Sequence, residues 1–364
     1  MNKILYLTVV DKNNEPGIYK KVTAQTKALR NLGCKVDITY LDGEQFKVND
    51  DSLGKEKQSH LIRLKNRFVY PKALCNYLTD PSNHYDVVYI RKSFINGSFI
   101  NALKVIKGRG TKVVLEVPTY PYRNELNFIN KVLYTWEYCH LGMLKACVDL
   151  VTYIGVEDLD VFNIPSIRFY NGIDVSSVKV KQDNIDNKTI RFIAVANLAE
   201  WHGYERFFVA MANCSENVEF HIVGEGPALA TLKKSAKELG VESSVYFHGN
   251  KLGRELDSLF DLCHIGVDSL AMYKANLFVS SSLKTREYAA RGIPFILGCE
   301  DRDFKENCQF VYNVPNDDSE IDIQDIVKWY NYSNFNKSMI RDFAQENLDW
   351  SGIMKPIKSK IFDY

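Results

Sequence analysis

Short apolar runs alternate with longer stretches of helical spacing along most of the chain, the pattern of a parallel α/β protein. Runs at 4–10, 35–40, 87–90 and 112–117 read as strands of a first sheet. Between the first two, residues 18–32 gather Val22, Ala24, Ala28, Leu29 and Leu32 on one side of a helix, and Gly33 supplies the left-handed residue that stops it. Asn13 to Gly17 is then the turn of a β-loop-α-β unit.

A polar stretch at 179–188, KVKQDNIDNK, reads as an interdomain linker. Beyond it the alternation resumes, with strands expected at 190–196, 218–223, 245–247, 265–267 and 295–297. The predicted fold class is α/β, two Rossmann-like doubly wound domains facing across a central cleft. The domains are expected at 1–175 and 187–344, with a helix over about 345–364 packing back on the first. Ligands of such sheets bind outside the carboxyl ends of the strands, so the chemistry is expected there.

Composition narrows the function. Hydrophobic residues make up 46% and charged residues 25%, a globular profile, and the net charge of +1 argues against a nucleic-acid partner. The eight cysteines form no C-x-x-C pair, so they read as reduced thiols of a cytosolic protein rather than as a metal site. The apolar run at 4–10 is too short to span a bilayer, and no cleavage site follows. A cytoplasmic chain is expected.

The sharpest segment runs from Ser282 to Ile296, SLKTREYAARGIPFI. A serine-rich loop leads into a short helix carrying Glu287, which ends at Gly292 and Pro294 before a strand. This resembles the donor-binding element of the family-4 (group 1) retaining glycosyltransferases of GT-B fold, whose form is roughly K-x-x-E-[YA]-x-A-x-G-x-P-[VF]-[IV]. The resemblance implies that Glu287 accepts hydrogen bonds from the ribose hydroxyls of a nucleotide. It also implies that the helix start, with Lys284, Thr285 and Arg286, faces the phosphates, as suits free backbone N–H groups. Further parts agree in order: the Gly224-Glu225-Gly226 turn after FHIV, the Asn171-Gly172-Ile173-Asp174 turn, and Gly17 where the family has a glycine loop after its first strand. The turn at Gly224 lacks the third glycine of a dinucleotide fingerprint, and a dehydrogenase reading drops out.

Two departures stand out. The family places an arginine and a lysine, five apart, on the first loop of its second domain to neutralise the donor diphosphate; here Asn197 and His202 occupy those positions, with Gly203 following. Lys284 and His202, with Arg206 as a third candidate, are then expected to carry the phosphate charge; otherwise His202 is a ring packed beside Trp201. Where the family often has an acidic residue, eight positions before the ribose glutamate, this chain has Val279.

On the first domain, Glu116 lies near the carboxyl end of a strand, either as a sugar ligand or base or as a carboxylate paired with Arg91 or Arg123. Tyr120, Tyr122 and Arg123 follow in a proline-stiffened loop and are the acceptor-binding candidates. A basic segment over 55–72 interleaves Lys55, Lys57, Arg63, Lys65, Arg67 and Lys72 with apolar residues, either to dock on anionic lipid at the inner face of the membrane or as a solvated helix face.

The resemblance implies a retaining glycosyltransferase that uses a nucleoside-diphosphate sugar, a UDP-sugar foremost, and a glycan or lipid-linked acceptor in surface polysaccharide synthesis. It implies neither a metal nor a cofactor, with Glu116, Lys284 and His202 nearest the chemistry. Two rivals stay open: a sugar-nucleotide epimerase of the same fold, and an inactive donor-binding subunit of a larger complex.

Overall fold

The strand β1 (Lys3–Leu7) pairs in parallel with β2 (Lys35–Asp42), and the helix Pro16–Asn31 joins them. Pro16 sits in the first turn, where its missing N–H costs nothing, so the helix starts two residues earlier than the apolar spacing suggests. The computed structural model describes residues 1–43, 45–55, 72–120, 137–182, 188–305 and 308–362. It divides into two compact units, Met1–Tyr170 with Trp350–Tyr364, and Asn171–Asp349.

The first unit is built on an eight-stranded sheet of order β4-β3-β2-β1-β5-β6-β7-β8. Its added members are β3 (Gln45–Val48), β4 (Asp51–Lys55), β5 (Val87–Arg91), β6 (Lys112–Tyr120), β7 (Leu150–Gly155) and β8 (Ser166–Arg168). Only β3 runs against the rest, pairing antiparallel with β2 on one side and with β4 on the other. Ile4, Leu5, Tyr6 and Leu7 are all buried, as expected of a central parallel strand covered on both faces. One face is covered by the helix Gly97–Gly108, through Phe99, Ile100, Leu103 and Ile106. The other is covered by Pro16–Asn31 and by the last helix, Trp350–Phe362, through Trp350, Met354, Ile357 and Ile361. Each of those aliphatic side chains contributes roughly 1.5–3 kcal/mol by leaving water. Pro356 inside that helix is exposed, as is Gly352 one turn earlier, so the carbonyl that loses its partner faces solvent.

The second unit has a six-stranded, all-parallel sheet of order β11-β10-β9-β12-β13-β14. Its strands are β9 (Ile190–Val195), β10 (Val218–Val223), β11 (Val245–Phe247), β12 (Ile265–Val267), β13 (Phe295–Leu297) and β14 (Val311–Asn313). This is the doubly wound Rossmann order, and the direction of winding reverses between β9 and β12. Phe192, Ile193 and Ala194 are fully buried, with helices Tyr204–Ala212, Leu229–Glu238 and Ile323–Tyr332 over one face. Helices Gly253–Leu262, Leu283–Arg291 and Lys337–Asn347 cover the other.

The polar stretch read as a linker is instead seated on this unit as far as Gln182. Lys179 pairs with Asp261 at 3.0 Å, the Gln182 N–H donates to the same carboxylate, and the Lys181 N–H donates to the Arg291 carbonyl. Among the described residues no helix is long and apolar enough to cross a membrane.

Candidate functional site

The carboxyl ends of β9, β10 and β12 in the second unit hold most of the residues singled out for the donor. The loops after β9 and β10 lie in direct backbone contact: the Leu198 N–H donates to the Glu225 carbonyl at 2.7 Å. That approach is what the Gly224–Gly226 turn requires. Gly224 and Gly226 have φ of 124° and 152°, and a Cβ on either would meet the Ala196 or Leu198 carbonyl oxygen at 1.9 or 2.3 Å. Asn197 is exposed on this loop, and Gly203, left-handed at φ 62°, opens the helix Tyr204–Ala212.

Of the four side chains considered for phosphate charge, three are committed elsewhere. His202 is buried, accepts the Ala199 N–H on Nδ1 at 2.9 Å, and stacks on Tyr204. Burial, reinforced by the Lys284 ammonium, pulls its pKa down to about 3, so the ring is neutral near pH 7 and brings no cation to a diphosphate. The expectation for His202 is corrected to the packed ring. Arg206 spends its guanidinium on the carbonyls of Leu270, Pro315 and Ser319, tying three loops together. Arg286 is fully buried, donates to the Asn171 carbonyl at 2.9 Å, and is clamped by Asp301 and Asp303. Neither arginine can turn toward a ligand without stranding buried partners, so both leave the candidate donor set. Thr285 is also fully buried, its hydroxyl donating to the Ser282 carbonyl.

Lys284 is different. It stands in the first turn of Leu283–Arg291, and its Nζ lies 3.1 Å from Asp268 Oδ1 and 2.9 Å from Ser269 Oγ. Ser282, the N-cap, donates its hydroxyl to the same Asp268 oxygen at 2.9 Å and accepts the Lys284 N–H. Glu287 lies three residues and Arg291 seven residues after Lys284, placing all three on one helix face. Glu287 is partly buried, and its Oε1 accepts from Arg291 Nη2 and Nε at 2.8 and 3.1 Å, while Arg291 also pairs with Asp257. Asp268 and Ser269 were missed by sequence reasoning. The available signal was an acid directly after the strand Ile265–Val267, on the side where such sheets bind ligands.

In the first unit, Glu116 is 0% exposed. Its Oε1 lies 2.8 Å from Arg91 Nη1 and 3.4 Å from Lys21 Nζ. Its Oε2 accepts from Gln25, Tyr6 and Tyr89 at 3.0–3.1 Å. Burial pushes its pKa up, but Lys21 and Arg91 together with the hydrogen bonds from Gln25 and Tyr6 hold it below the usual carboxylate range. A carboxylate this enclosed reaches no substrate, so the base or sugar-ligand role is corrected to the pairing with Arg91. Gly17 lies in the first turn of the helix Pro16–Asn31, exposed and with nothing within 4 Å of where a Cβ would stand, so no glycine loop is built there. Tyr120 ends β6 and packs edge-on against Tyr153 and Phe162. Tyr122 and Arg123 lie outside the described residues, as does the basic segment except at its ends, Lys55 closing β4 and Lys72 opening the helix Lys72–Thr79.

Solved structures share this architecture over the whole chain. Anabaena HepE in complex with UDP matches at 14% identity and a TM-score of 0.62, covering 100% of both chains. Sucrose-phosphate synthase from Thermosynechococcus elongatus matches at 13% and 0.67, again over 100% of both. The lipopolysaccharide outer core galactosyltransferase WaaB, in its apo form, matches at 15% and 0.58, covering 99% of each. No curated protein matches the sequence. The fold is therefore that of the GT-B glycosyltransferases. Residues 176–272, all within the second unit, match the family described as Glycosyl transferases group 1, and fold and family match together support a glycosyltransferase.

Proposed function

We propose that the chain transfers a sugar, with retention, from a nucleoside-diphosphate sugar to a glycan or lipid-linked acceptor in surface polysaccharide synthesis. The observation that carries this reading is the face formed by Lys284 and Glu287 at the start of a helix, beside the carboxyl end of β12. Helix starts attract phosphate through unpaired N–H groups, and a lysine there adds a full charge. Of the cationic side chains weighed for that charge, Lys284 is the one at the helix start that is not fully buried. Glu287, three residues on, is placed to take the ribose hydroxyls. The loop residues Asn197, Gly203 and Gly224 line the same end of the sheet.

A UDP-sugar is the preferred donor, since HepE has been crystallised with UDP and with UDP-glucose. In the proposed transfer, the acceptor hydroxyl attacks on the face that the diphosphate leaves, and the departing phosphate oxygen takes the hydroxyl proton. No side-chain nucleophile is required, which agrees with the enclosure of Glu116. The acceptor falls to the first unit, with Tyr120, Tyr122 and Arg123 as the candidates. The basic segment 55–72 is the candidate contact with anionic lipid.

Asn197 and a neutral His202 leave the diphosphate with fewer cations than the family provides. That keeps one rival in play, an inactive donor-binding subunit. A thermal-shift panel of nucleotides and nucleotide sugars tests donor binding, and release of free sugar from the bound donor tests activity. Stabilisation by UDP with sugar release supports the transferase; stabilisation without any turnover selects the rival, and no response to any nucleotide rejects both.

A further inference from the structure

Asp268 is 1% exposed, and a carboxylate so deep costs several kcal/mol to dehydrate unless charged and hydrogen-bonded partners compensate it. Its backbone N–H is fixed to the Ile296 carbonyl of β13 at 3.1 Å, so the carboxylate is held by the sheet itself. One oxygen, Oδ1, then meets both features that draw an anion to this end of the unit. It binds the Lys284 ammonium at 3.1 Å and the hydroxyl of Ser282, the residue that caps the helix, at 2.9 Å. Ser269, buried on the same strand end, accepts from the ammonium on a second side at 2.9 Å. A lysine has four rotatable carbons and ordinarily swings through solvent. Here its side chain is only 15% exposed and its head is held by two oxygens of one rigid strand end.

We propose that Asp268 is a positioning residue of the donor site: it seats the Lys284 ammonium where the diphosphate arrives and, through Ser282, fixes the helix start beside it. The proposal rests on the donor-binding reading above. It makes a prediction of unexpected sign. A negative charge next to an anion site repels the anion, so Coulomb's law alone says that removing it tightens binding. A seat says the reverse, because the loosened ammonium must be ordered again at each binding event.

The test is calorimetric titration of wild type, Asp268→Asn, Ser269→Ala, Lys284→Ala and Asp268→Asn/Lys284→Ala with UDP and with uridine. Asp268→Asn is expected to weaken UDP about tenfold and Ser269→Ala about threefold, with uridine within about twofold in both. In the double variant Asp268→Asn is expected to add nothing to the loss from Lys284→Ala, the mark of two residues acting as one. UDP bound as tightly or more tightly by Asp268→Asn overturns the proposal, as does an equal loss for UDP and uridine, which marks general damage to the fold. Should Asp268→Asn fail to fold, Ser269→Ala decides alone, and unchanged UDP affinity there is fatal. If wild type binds UDP and Lys284→Ala weakens it while Asp268→Asn does not, the donor reading survives and only this inference falls. If wild type binds no nucleoside diphosphate, the donor reading itself fails.

Discussion

The two units each bury a carboxylate against a lysine, Glu116 in the middle of β6 and Asp268 just past β12, and they use it differently. Glu116 accepts from three neutral donors and meets two cations, with none of its surface left to solvent. Asp268 is nearly as deep, but the lysine it holds reaches the surface beside a helix start. A carboxylate buried against the sheet is therefore not a site on that ground alone. Arg91 and Lys284 are alike in exposure at 12% and 15%, so the difference lies in the lysine partners and whether each keeps a side open. Lys21 does not, being enclosed between Glu116 and the rings of Phe169 and Trp350; Lys284 does.

The contrast can be broken first at Glu116. Glu116→Ala strands Lys21 and Arg91 and is expected to cost about 3–5 kcal/mol in urea unfolding. A variant of unchanged stability that has lost transfer would restore a catalytic role to this residue. Next in size, Lys284→Ala is expected to weaken UDP at least about tenfold by titration, with uridine nearly unaffected. A smaller effect concerns pH. His202 resists protonation in the folded chain down to about pH 3, whereas the unfolded chain takes the proton near the ordinary value. Its contribution to stability is thus complete above about pH 6.5 and is lost as pH falls toward the folded value, by about 1 kcal/mol over the first unit. His202→Gln should flatten that part of the stability profile, and an unchanged slope would mean that the ring is charged or open to water. Last, Glu287→Ala is expected to weaken UDP and uridine alike, about threefold, since Arg291 already holds one oxygen and only ribose contacts are lost. A loss confined to UDP would place Glu287 at the phosphates instead.

The second sheet, β14 apart, was legible in the sequence because its strands are short, mostly apolar and separated by clear helices, and the element from Ser282 to Pro294 was legible because its parts are neighbours. The hairpin β3–β4 was not, since QFKV and DSLGK are too polar and too short to signal a strand without β2 to pair with. β7 hid in the run LGMLKACVDLVTYIG, where no glycine or proline parts the short turn at Leu144–Ala146 from the strand that follows. Arg206 and Arg286 looked like ligand cations because the groups that claim them are distant in sequence, at Leu270, Pro315, Ser319, Asp301 and Asp303. Sequence spacing reports which charges are near along the chain, and these were spent on charges and carbonyls near only in the fold. His202 is the same lesson in another form: its neutrality is a property of its enclosure, which no local motif records.

The helix Trp350–Phe362 completes the first unit although the whole of the second unit intervenes in the chain. During synthesis the later-made unit is thus the first to have all its parts, while the earlier one waits with Ile4, Tyr6, Val22 and Leu29 lacking their cover. A nascent chain halted at 349 would carry a finished second unit attached to an unfinished, sticky first one. Supplying the missing helix as a separate peptide should restore the first half alone.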